Sequence, residues 1–364
     1  MTGFDIRSYH LPLKTRYRWA KGDHDSRMGL LVSAEIDGYI GWGEVAFGPH
    51  VVIDGAALSA ETLRKVNAID PASDDVLDQL DDAALHNRVR CGLATAALSA
   101  KAAAASQPLN QFLAARWMPH RQPAAAAPIN GLVNKADPDE AIAQAKAYAS
   151  HGMQTFKVKC GAEQATDLAV VTALRSAFPE AALRLDPNDA WKTVDNALER
   201  LTAFAPLGID YVEDPLDTGV ATLAQMAKLK ESSPIAVAWD NPVDNVTAMQ
   251  RLLDGDAVDV FVFKMPRTGG PDRQLEMIAL AERAGKRGVL TGPLESAVGT
   301  MAGLHVVTCM QPPIPDCGFS LSAHFAADAA PLPPIVDGLQ AIPASTGLGI
   351  DPSSYWATLP RIWS

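Results

Sequence analysis

The hydrophobic pattern of the chain changes near residue 127. Before it, GLLVSAEIDGYIGWGE at 29–44 contains two runs rich in β-forming residues around an Asp-Gly turn signal. Residues 58–118 favour helices, most clearly in the alanine-rich stretch at 90–105. Strands followed by helices predict a small α+β domain. The stretch RQPAAAAP at 121–128 is a candidate linker.

From residue 127 onward, short apolar runs alternate with amphipathic helical patterns, as in a parallel sheet or barrel. Five of these runs end in a charged residue, namely Lys159, Asp186, Glu213, Asp240 and Lys264. Their successive spacings are 27, 27, 27 and 24 residues, close to the roughly 30-residue repeat of a TIM-type barrel. A dinucleotide-binding sheet is the weaker alternative, because no Gly-x-Gly-x-x-Gly motif follows the first strand.

Two lysines stand side by side in TFKVKCG at 155–161, where apolar and polar residues alternate. Alternation places Lys157 and Lys159 on one face of a strand, where like charges repel and desolvation is costly. The strand ends of a barrel meet at one face, so we expect a carboxylate cluster opposite these lysines. The alternatives are helix capping for each single acid and a solvated edge charge for each lysine.

These residue types indicate a particular chemistry. Carboxylate ligands without His or Cys beside them favour Mg²⁺, with Mn²⁺ as a substitute, over Zn²⁺. Repulsion between adjacent ammonium groups favours a neutral lysine, which can act as a general base. Together they indicate removal of a proton α to a carboxylate, with a divalent ion stabilising the developing negative charge.

Composition and net charge indicate which kinds of binding partner to expect. The chain has 364 residues, 48% hydrophobic and 20% charged, with a formal net charge of −11. Without a long basic run or an apolar run near the roughly 20 residues of a membrane span, we expect neither nucleic acid nor membrane as a partner. The four cysteines form no Cys-x-x-Cys pair and the N-terminus has no apolar signal region; both predict a cytoplasmic protein. The expected partner is a small-molecule carboxylate, and homo-oligomer formation stays open.

Four motifs resemble those of the enolase superfamily, specifically its muconate lactonizing enzyme subgroup. They are DGYIGWGEVA at 37–46, TFKVKCG at 155–161, LRLDPNDAW at 183–191 and YVEDPL at 211–216. The resemblance implies an α/β fold, a modified TIM barrel of (β/α)7β type with an α+β capping domain. The predicted segments are 1–122 for the N-terminal part of the cap, 123–324 for the barrel and 325–364 for a C-terminal segment returning to the cap.

The resemblance also implies roles for individual residues. Asp186, Glu213 and Asp240 would bind Mg²⁺. Lys159 and Lys264 would be acid/base residues on opposite faces of the substrate, with Lys157 tuning Lys159 and Asn188 giving polar support near the metal. The subgroup usually has Glu after its third metal ligand, whereas this chain has Asn241, which puts the role of Lys264 in question.

Two further stretches concern the substrate. TGPLESAVG at 291–299 is most similar to the pattern of o-succinylbenzoate synthases and N-succinylamino acid racemases. Gly292 and Glu295 are therefore candidate substrate contacts, with a helix N-terminal acid as the alternative for Glu295. Residues 13–29 are basic and are expected to form a loop that closes over the site. In that loop, Arg16 and Arg18 are candidates to bind a second substrate carboxylate, with solvated surface charges as the alternative.

The preferred hypothesis is dehydration of the o-succinylbenzoate synthase type. Lys159 would remove the α proton and then assist the departing hydroxyl on the same face, while Lys264 supplies only charge. One alternative is racemisation or epimerisation of N-acylamino acids or dipeptides, in which Lys264 must also exchange protons. Muconate-type cycloisomerisation is another. A third, from a different class, is a non-catalytic barrel that binds a dicarboxylate.

Overall fold

The computed structural model describes residues 3–19, 22–47, 58–161 and 163–362. The N-terminal part is an antiparallel sheet of β1 (Phe4–Trp19), β2 (Gly22–Ile36) and β3 (Tyr39–Val45). Asp37 and Gly38 join β2 to β3 with positive φ angles of 52° and 82°, as the Asp-Gly signal predicted. Four helices follow: α1 (Ala60–Asn67), α2 (Val76–Asp82), α3 (Asn87–Ala104) and α4 (Leu109–Trp117).

Helix α3 packs directly on β3 because glycines remove the side chains between them. A Cβ added to Gly43 would lie 1.9 Å from the carbonyl oxygen of Gly92, far inside van der Waals contact. Around this contact, buried apolar residues of the sheet and of α3 form a core separate from that of the barrel, including Ile6, Leu30 and Leu93. The cap therefore has its own hydrophobic core.

The segment 121–128 was predicted as a linker, and this is wrong for its last residues. Ala126–Pro128 form strand β4, which pairs antiparallel with residues 339–341. The pairing lies beside the first barrel strand and ties the C-terminal segment to the barrel. Small residues such as Ala127, which is fully buried, carry little strand signal, so the pattern favoured a linker.

Seven parallel strands follow in chain order in one curled sheet. They are β5 (Gly131–Val133), β6 (Thr155–Lys159), β7 (Ala182–Asp186), β8 (Ile209–Glu213), β9 (Val237–Trp239), β10 (Val260–Phe263) and β11 (Arg287–Leu290). The helices between and after them are α5 (Pro138–Ala149), α6 (Gln164–Ala177), α7 (Val194–Phe204), α8 (Leu223–Ser232), α9 (Val246–Asp254), the short α10 (Met265–Thr268), α11 (Pro271–Arg283) and α12 (Ala297–Val307).

A two-residue segment takes the eighth position and closes the barrel. Gly318 N–H donates to the carbonyl oxygen of Leu290 at 2.9 Å, on the β11 side. Cys317 N–H donates to the carbonyl oxygen of Pro128 at 2.8 Å, on the side of the first strand. Seven βα units and this last strand segment confirm the predicted modified barrel with an α+β cap.

The C-terminal segment returns to the cap sheet. It contains β12 (Ile335–Val336), β13 (Leu339–Ala341) and α13 (Ser353–Trp356). Trp356 packs edge-on against Trp42 with ring centroids 5.1 Å apart, and the Arg7 guanidinium lies 4.5 Å from the Trp356 ring centroid. Ser8 N–H also donates to the carbonyl oxygen of Pro360 at 3.2 Å. The domain limits at residues 122 and 324 stay predictions.

The predicted loop at 13–29 is instead part of a long hairpin. Residues 13–19 belong to β1 and 22–29 to β2. Leu11 and Leu13 are buried, and the strand is fixed to the C-terminal segment because Ala326 N–H donates to the carbonyl oxygen of Pro12 at 2.8 Å. Among the described side chains of β1, the buried alternation ends at Leu13, and the polar sequence that follows it gave a loop-like pattern.

Within the described part of the chain, no helix has both the length and the apolar character that crossing a membrane requires.

Candidate active site

The charged strand ends converge at one mouth of the barrel. Strands β6 to β10 are neighbours in the sheet, so their C-terminal ends lie side by side. Asp186, Glu213 and Asp240 are each at most 3% exposed. Lys159 ends β6 and Lys264 follows β10. These strands are four positions apart in the ring of seven strands that Cys317 and Gly318 close, so the two lysines enter from opposite sides.

The two neighbouring lysines share one carboxylate oxygen. Asp186 Oδ2 lies 2.8 Å from Lys157 Nζ and 2.6 Å from Lys159 Nζ. Lys157 Nζ also donates to both carboxylate oxygens of Glu213 at 2.6 Å. Burial alone would lower the pKa of Lys157, but the charges of Asp186 and Glu213 outweigh it and raise the pKa well above its usual value. The carboxylates thus offset the repulsion between the two lysines.

Asp186 is held ionised by its neighbours. Burial acts to raise its pKa, but Lys157 and Lys159 together hold the pKa far below its usual value. Its other oxygen, Oδ1, accepts the backbone N–H of Asn188 at 3.1 Å. The Asn188 side chain in turn accepts from Lys159 Nζ at 3.1 Å. Asn188 therefore contacts both the acid and the lysine, and its supporting role near a metal stays a prediction.

Asp240 pairs with two cations, one of which the sequence analysis missed. Lys264 Nζ forms a close ion pair with Asp240 Oδ2, and Arg267 Nη1 lies 2.9 Å from Asp240 Oδ1. Burial opposes ionisation, but these cations lower the pKa of Asp240. Arg267 comes three residues after Lys264 in α10, so helical spacing from a predicted site residue could have identified it.

A fourth buried acid, Asp214, was also missed although it follows Glu213 directly in the chain. Its backbone has a positive φ of 44°, which turns its carboxylate toward the next strand. There it accepts the backbone N–H groups of Asp240 at 2.9 Å and of Asn241 at 3.1 Å. Burial, then the negative charges of Asp240 and Glu213, raise its pKa well above the usual value. Asp214 therefore holds the end of β9 in position.

Asn241, where the resemblance implies a Glu, links two charged groups. Its side-chain Nδ2 donates to Asp189 Oδ2 at 2.7 Å. Its backbone oxygen accepts from Arg267. Burial raises the pKa of Asp189, and the other oxygen of this acid is buried without a hydrogen-bond partner among the described residues. The chain therefore places an amide between an acid and a guanidinium at this position.

The acidic residues fit a hard divalent cation. All the donors are carboxylate oxygens, which Mg²⁺ prefers. Oxygens of Glu213, Asp214 and Asp240 lie within 4.8 Å of one another. That group contains Asp214 in place of the predicted Asp186, but both oxygens of Asp214 already accept backbone amides. Asp186, Glu213 and Asp240 therefore stay the predicted metal ligands.

A cavity of about 470 Å³ opens above these groups. Lys157, Lys159 and Lys264 line it together with Thr291 and Gly292. Its remaining described lining is mostly small or uncharged and includes Asn130, Leu132, Asn134, Cys160, Pro293, Ser320 and Leu321. Both candidate acid/base lysines therefore contact the same space.

The substrate-contact predictions differ in outcome. Gly292 lines the cavity. Glu295 is 3% exposed and is not among the described lining residues; it directly precedes Ser296, the N-cap of α12. Arg16 is exposed on β1, and the side chain of Arg18 lies outside the described residues. Contacts of Arg16 and Arg18 with substrate stay predictions.

A capped parallel barrel with lysines and carboxylates at its strand ends defines a class of α/β-barrel enzymes. Comparison with known proteins places the chain within that class. A family model described as enolase C-terminal domain-like matches residues 140–356. The chain belongs to the enolase superfamily, in the group of mandelate racemase and muconate lactonizing enzyme, whose members typically use Mg²⁺.

Relatives within this family differ in the reaction that they are named for. The N-succinyl-L-Arg/Lys racemase of Bacillus cereus is 23% identical over 315 residues, covering 84% of this chain and 83% of that protein. The o-succinylbenzoate synthase of Thermobifida fusca is 32% identical over 215 residues, covering 57% of this chain and 64% of that protein. The chain thus aligns with less than two thirds of the synthase. These relatives establish an enzyme of this superfamily and leave its reaction open.

A solved structure supports the same fold. The muconate lactonizing enzyme of Pseudomonas fluorescens superposes with a TM-score of 0.86 at 23% identity, covering 99% of this chain and all of that one. Likeness at this level of identity establishes the fold alone.

Proposed function

We propose that this protein removes the proton α to a substrate carboxylate and that Lys159 is the base. One observation carries the proposal: Lys159 and Lys264 line one cavity from opposite sides, with the buried carboxylates of β7 to β9 between them. A divalent cation held by Asp186, Glu213 and Asp240 would supply positive charge that stabilises negative charge on the substrate carboxylate. Both reactions considered below, a dehydration and a racemisation, begin with this proton removal by Lys159.

The particular reaction that we propose is dehydration of the o-succinylbenzoate synthase type. Lys159 takes the α proton and returns it to the departing hydroxyl on the same face, so that water leaves. Lys264 contributes charge from the opposite face and transfers no proton. Similarity of TGPLESAVG at 291–299 to the synthase and racemase pattern supports this choice, as does the 32% identity to the Thermobifida fusca synthase.

Racemisation of an N-acylamino acid is the second candidate. The longer alignment, over 84% of the chain, is with a racemase. In that reaction Lys264 must deliver a proton to the face opposite Lys159, and its place in the cavity lining is compatible with this role.

Replacing Lys264 by arginine separates the two candidates. Arginine keeps the charge but does not readily exchange a proton. Under the dehydration proposal, Lys264→Arg should retain a measurable fraction of water elimination, followed by absorbance or mass spectrometry. Under the racemase alternative, it should lose racemisation but still exchange deuterium into one enantiomer through Lys159.

The matched control is Lys159→Arg, which should abolish both elimination and deuterium exchange. If Lys159→Arg still exchanges the α proton at the wild-type rate, Lys159 is not the base. If the wild type neither turns over nor exchanges any of a panel of α-substituted carboxylates, the non-catalytic alternative is favoured.

A further inference from the structure

A second cluster of buried carboxyl groups lies where the cap meets the barrel, at the N-terminus of α12. Glu44 comes from β3 of the cap, Glu295 precedes α12, and Asp328 comes from the C-terminal segment. Glu44 and Glu295 are each 3% exposed. Asp328 Oδ1 accepts the backbone N–H of Ala297 at 2.7 Å. Three separate parts of the chain therefore meet at the start of one helix.

Glu44 accepts hydrogen bonds from four donors and binds the first turn of α12. Its carboxylate accepts from Ser296 N–H at 3.2 Å, Ser296 Oγ–H at 2.5 Å and Gly299 N–H at 3.0 Å. The fourth donor is the hydroxyl of Tyr9 on β1. Backbone N–H groups at a helix N-terminus favour a negative charge. Glu44 therefore joins the cap sheet to the first turn of α12 in the barrel.

Glu295 lies close to Glu44 and is held neutral. A Cβ added to Gly299 would lie 2.6 Å from Glu295 Oε1 and 2.8 Å from Glu44 Oε2, so both carboxyl groups approach the same backbone atom. Burial and the charge of Glu44 raise the pKa of Glu295 to about 8, against the opposing effect of Arg27 and Arg88. At neutral pH, Glu295 therefore carries a proton.

The same short stretch that carries Glu295 forms one wall of the cavity. Thr291, Gly292 and Pro293 line the cavity. Glu295 lies close to this stretch, because a Cβ added to Gly292 would lie 3.4 Å from Glu295 Oε2. Arg27 Nε donates to the carbonyl oxygen of Leu294 at 2.9 Å. The wall of the proposed active site is thus supported from behind by residues of the cap.

We propose that Glu44 is a positioning residue, which holds the cavity wall at 291–296 from the cap, and that the close approach of Glu295 to Glu44 makes this junction sensitive to pH. The consequence for catalysis rests on the proposed function. The junction itself does not, because its contacts are independent of any substrate. Ionisation of Glu295 would place a second negative charge beside Glu44 and weaken the junction.

Other groups face Glu44 and Glu295, and their titration ranges differ. They are Tyr9 from β1, Arg27 from β2, Arg88 and Cys91 from α3, and Asp328 and Tyr355 from the C-terminal segment. Burial raises the pKa of Tyr9 and of Cys91 well above the usual values, so both stay neutral at pH 9. Burial raises the pKa of Asp328 to about 6, below the range in which Glu295 titrates. A transition near pH 8 therefore reports on Glu295.

Hydrogen exchange of the backbone amides in 291–300, followed by mass spectrometry and corrected for intrinsic rates, tests the junction directly. From pH 7 to pH 9, wild-type protection should fall about tenfold, and most of the fall should come before pH 8, because only below its pKa of about 8 does Glu295 hold a proton in the closed junction that it releases when the junction opens. Glu295→Gln should keep its protection at both pH values. Glu44→Gln should lose protection at both, because an amide NH₂ cannot accept the donors that Glu44 binds. Glu35→Gln, an exposed position of the same cap sheet, is the control.

The result that would overturn the role of Glu44 is protection in Glu44→Gln equal to that in Glu35→Gln. Equal pH dependence in the wild type and Glu295→Gln would overturn the role of the proton. If Glu44→Gln does not fold, comparison of the wild type with Glu295→Gln alone decides.

Kinetics of the same variants test the consequence for the active site. Glu44→Gln should raise KM more than it lowers kcat, because it displaces a cavity wall and leaves the lysines in place. Glu295→Gln should flatten the rise of KM that the wild type shows as the pH increases from 7 toward 8. A wild type without turnover would contradict the proposed function but leave the exchange result valid. Unchanged KM in a Glu44→Gln protein that has lost protection would show that the junction does not position the site.

Discussion

The protein contains two clusters of buried carboxyl groups, and different groups neutralise them. At the strand ends, Asp186, Glu213 and Asp240 pair with side-chain cations. At the start of α12, Glu44 accepts N–H and O–H dipoles, and Glu295 carries its own proton. Ammonium groups can release protons and move aside for a metal ion. Backbone N–H groups can do neither, so the first cluster suits chemistry and the second suits support of the structure.

The largest effect is expected where a strand-end carboxylate is removed. Asp186→Asn, Glu213→Gln and Asp240→Asn should each lower turnover by about a thousandfold or more, the equivalent of roughly 4 kcal/mol. Bound metal, measured by elemental mass spectrometry, should fall in parallel. Exhaustive chelation should have the same effect, and either Mg²⁺ or Mn²⁺ should reverse it. Full activity after chelation would contradict a metal at the strand ends.

A second prediction concerns whether a metal ion can replace the ammonium group of Lys157 as the positive charge beside the strand-end carboxylates. Lys157→Met should destabilise the metal-free protein by roughly 3–5 kcal/mol, because Asp186 and Glu213 lose a buried counter-charge. Mg²⁺ should therefore raise the melting temperature of this variant more than that of the wild type. The control is Lys230→Met, which breaks a pair with the largely exposed Asp256 and should change the melting temperature little.

An equal response to Mg²⁺ in Lys157→Met and in the wild type would contradict this interchange. It would also show that the metal ion binds at carboxylates other than Asp186 and Glu213, which Lys157 contacts.

The first cluster could be predicted from sequence because the barrel repeats. A regular spacing of charged strand ends places Lys159, Asp186, Glu213, Asp240 and Lys264 at one mouth once the strands are parallel. The neighbours that complete the cluster depend on local backbone direction. Asp214 faces the end of β9 because its φ is positive. The regular spacing of charged residues at strand ends does not predict such a backbone angle.

The second cluster could not be predicted. Glu44 and Ser296 are 252 residues apart in the chain, and their contact follows from how the cap packs on the barrel. Glu295 therefore looked equally like a substrate contact and a helix N-terminal acid. The eighth strand also gave only a weak signal in the sequence, because the two residues that close the barrel, Cys317 and Gly318, are not part of an apolar run. Long-range packing decides all these features.

A smaller effect is expected at Gly299, which tests how rigid the second cluster is. In an unhindered helix, replacing Gly by Ala stabilises by about 1 kcal/mol. Here the added Cβ would lie 2.6 Å and 2.8 Å from the two carboxyl groups, so Gly299→Ala should instead destabilise by about 1–2 kcal/mol. Denaturant unfolding measures the change. Net stabilisation would show that Glu44 and Glu295 can move aside and that the junction is not fixed.

The smallest effect is expected at Asn241, on the edge of the first cluster. Asn241→Ala removes the Nδ2 donor to Asp189 and the Oδ1 acceptor that lies 3.5 Å from Arg267 Nη1, but leaves the pairs of Arg267 with Asp240 and with the backbone of residue 241. Since the second of these contacts is long, the loss should cost about 1 kcal/mol and lower kcat/KM about fivefold.

Asn241→Asp should be worse than Asn241→Ala at neutral pH, because it places a second carboxylate about 3 Å from Asp189, where only one of the two ionises easily. Lowering the pH protonates one of the pair, so the deficit of Asn241→Asp relative to Asn241→Ala should shrink as the pH falls from 7 to 5. Steady-state kinetics and thermal unfolding across that range measure both quantities. If Asn241→Asp and Asn241→Ala had the same kcat/KM and the same melting temperature at every pH, a neutral side chain at 241 would not be needed beside Asp189. In that case the departure from the usual Glu at this position would have no electrostatic consequence, and Arg267 would hold Asp240 without help from residue 241.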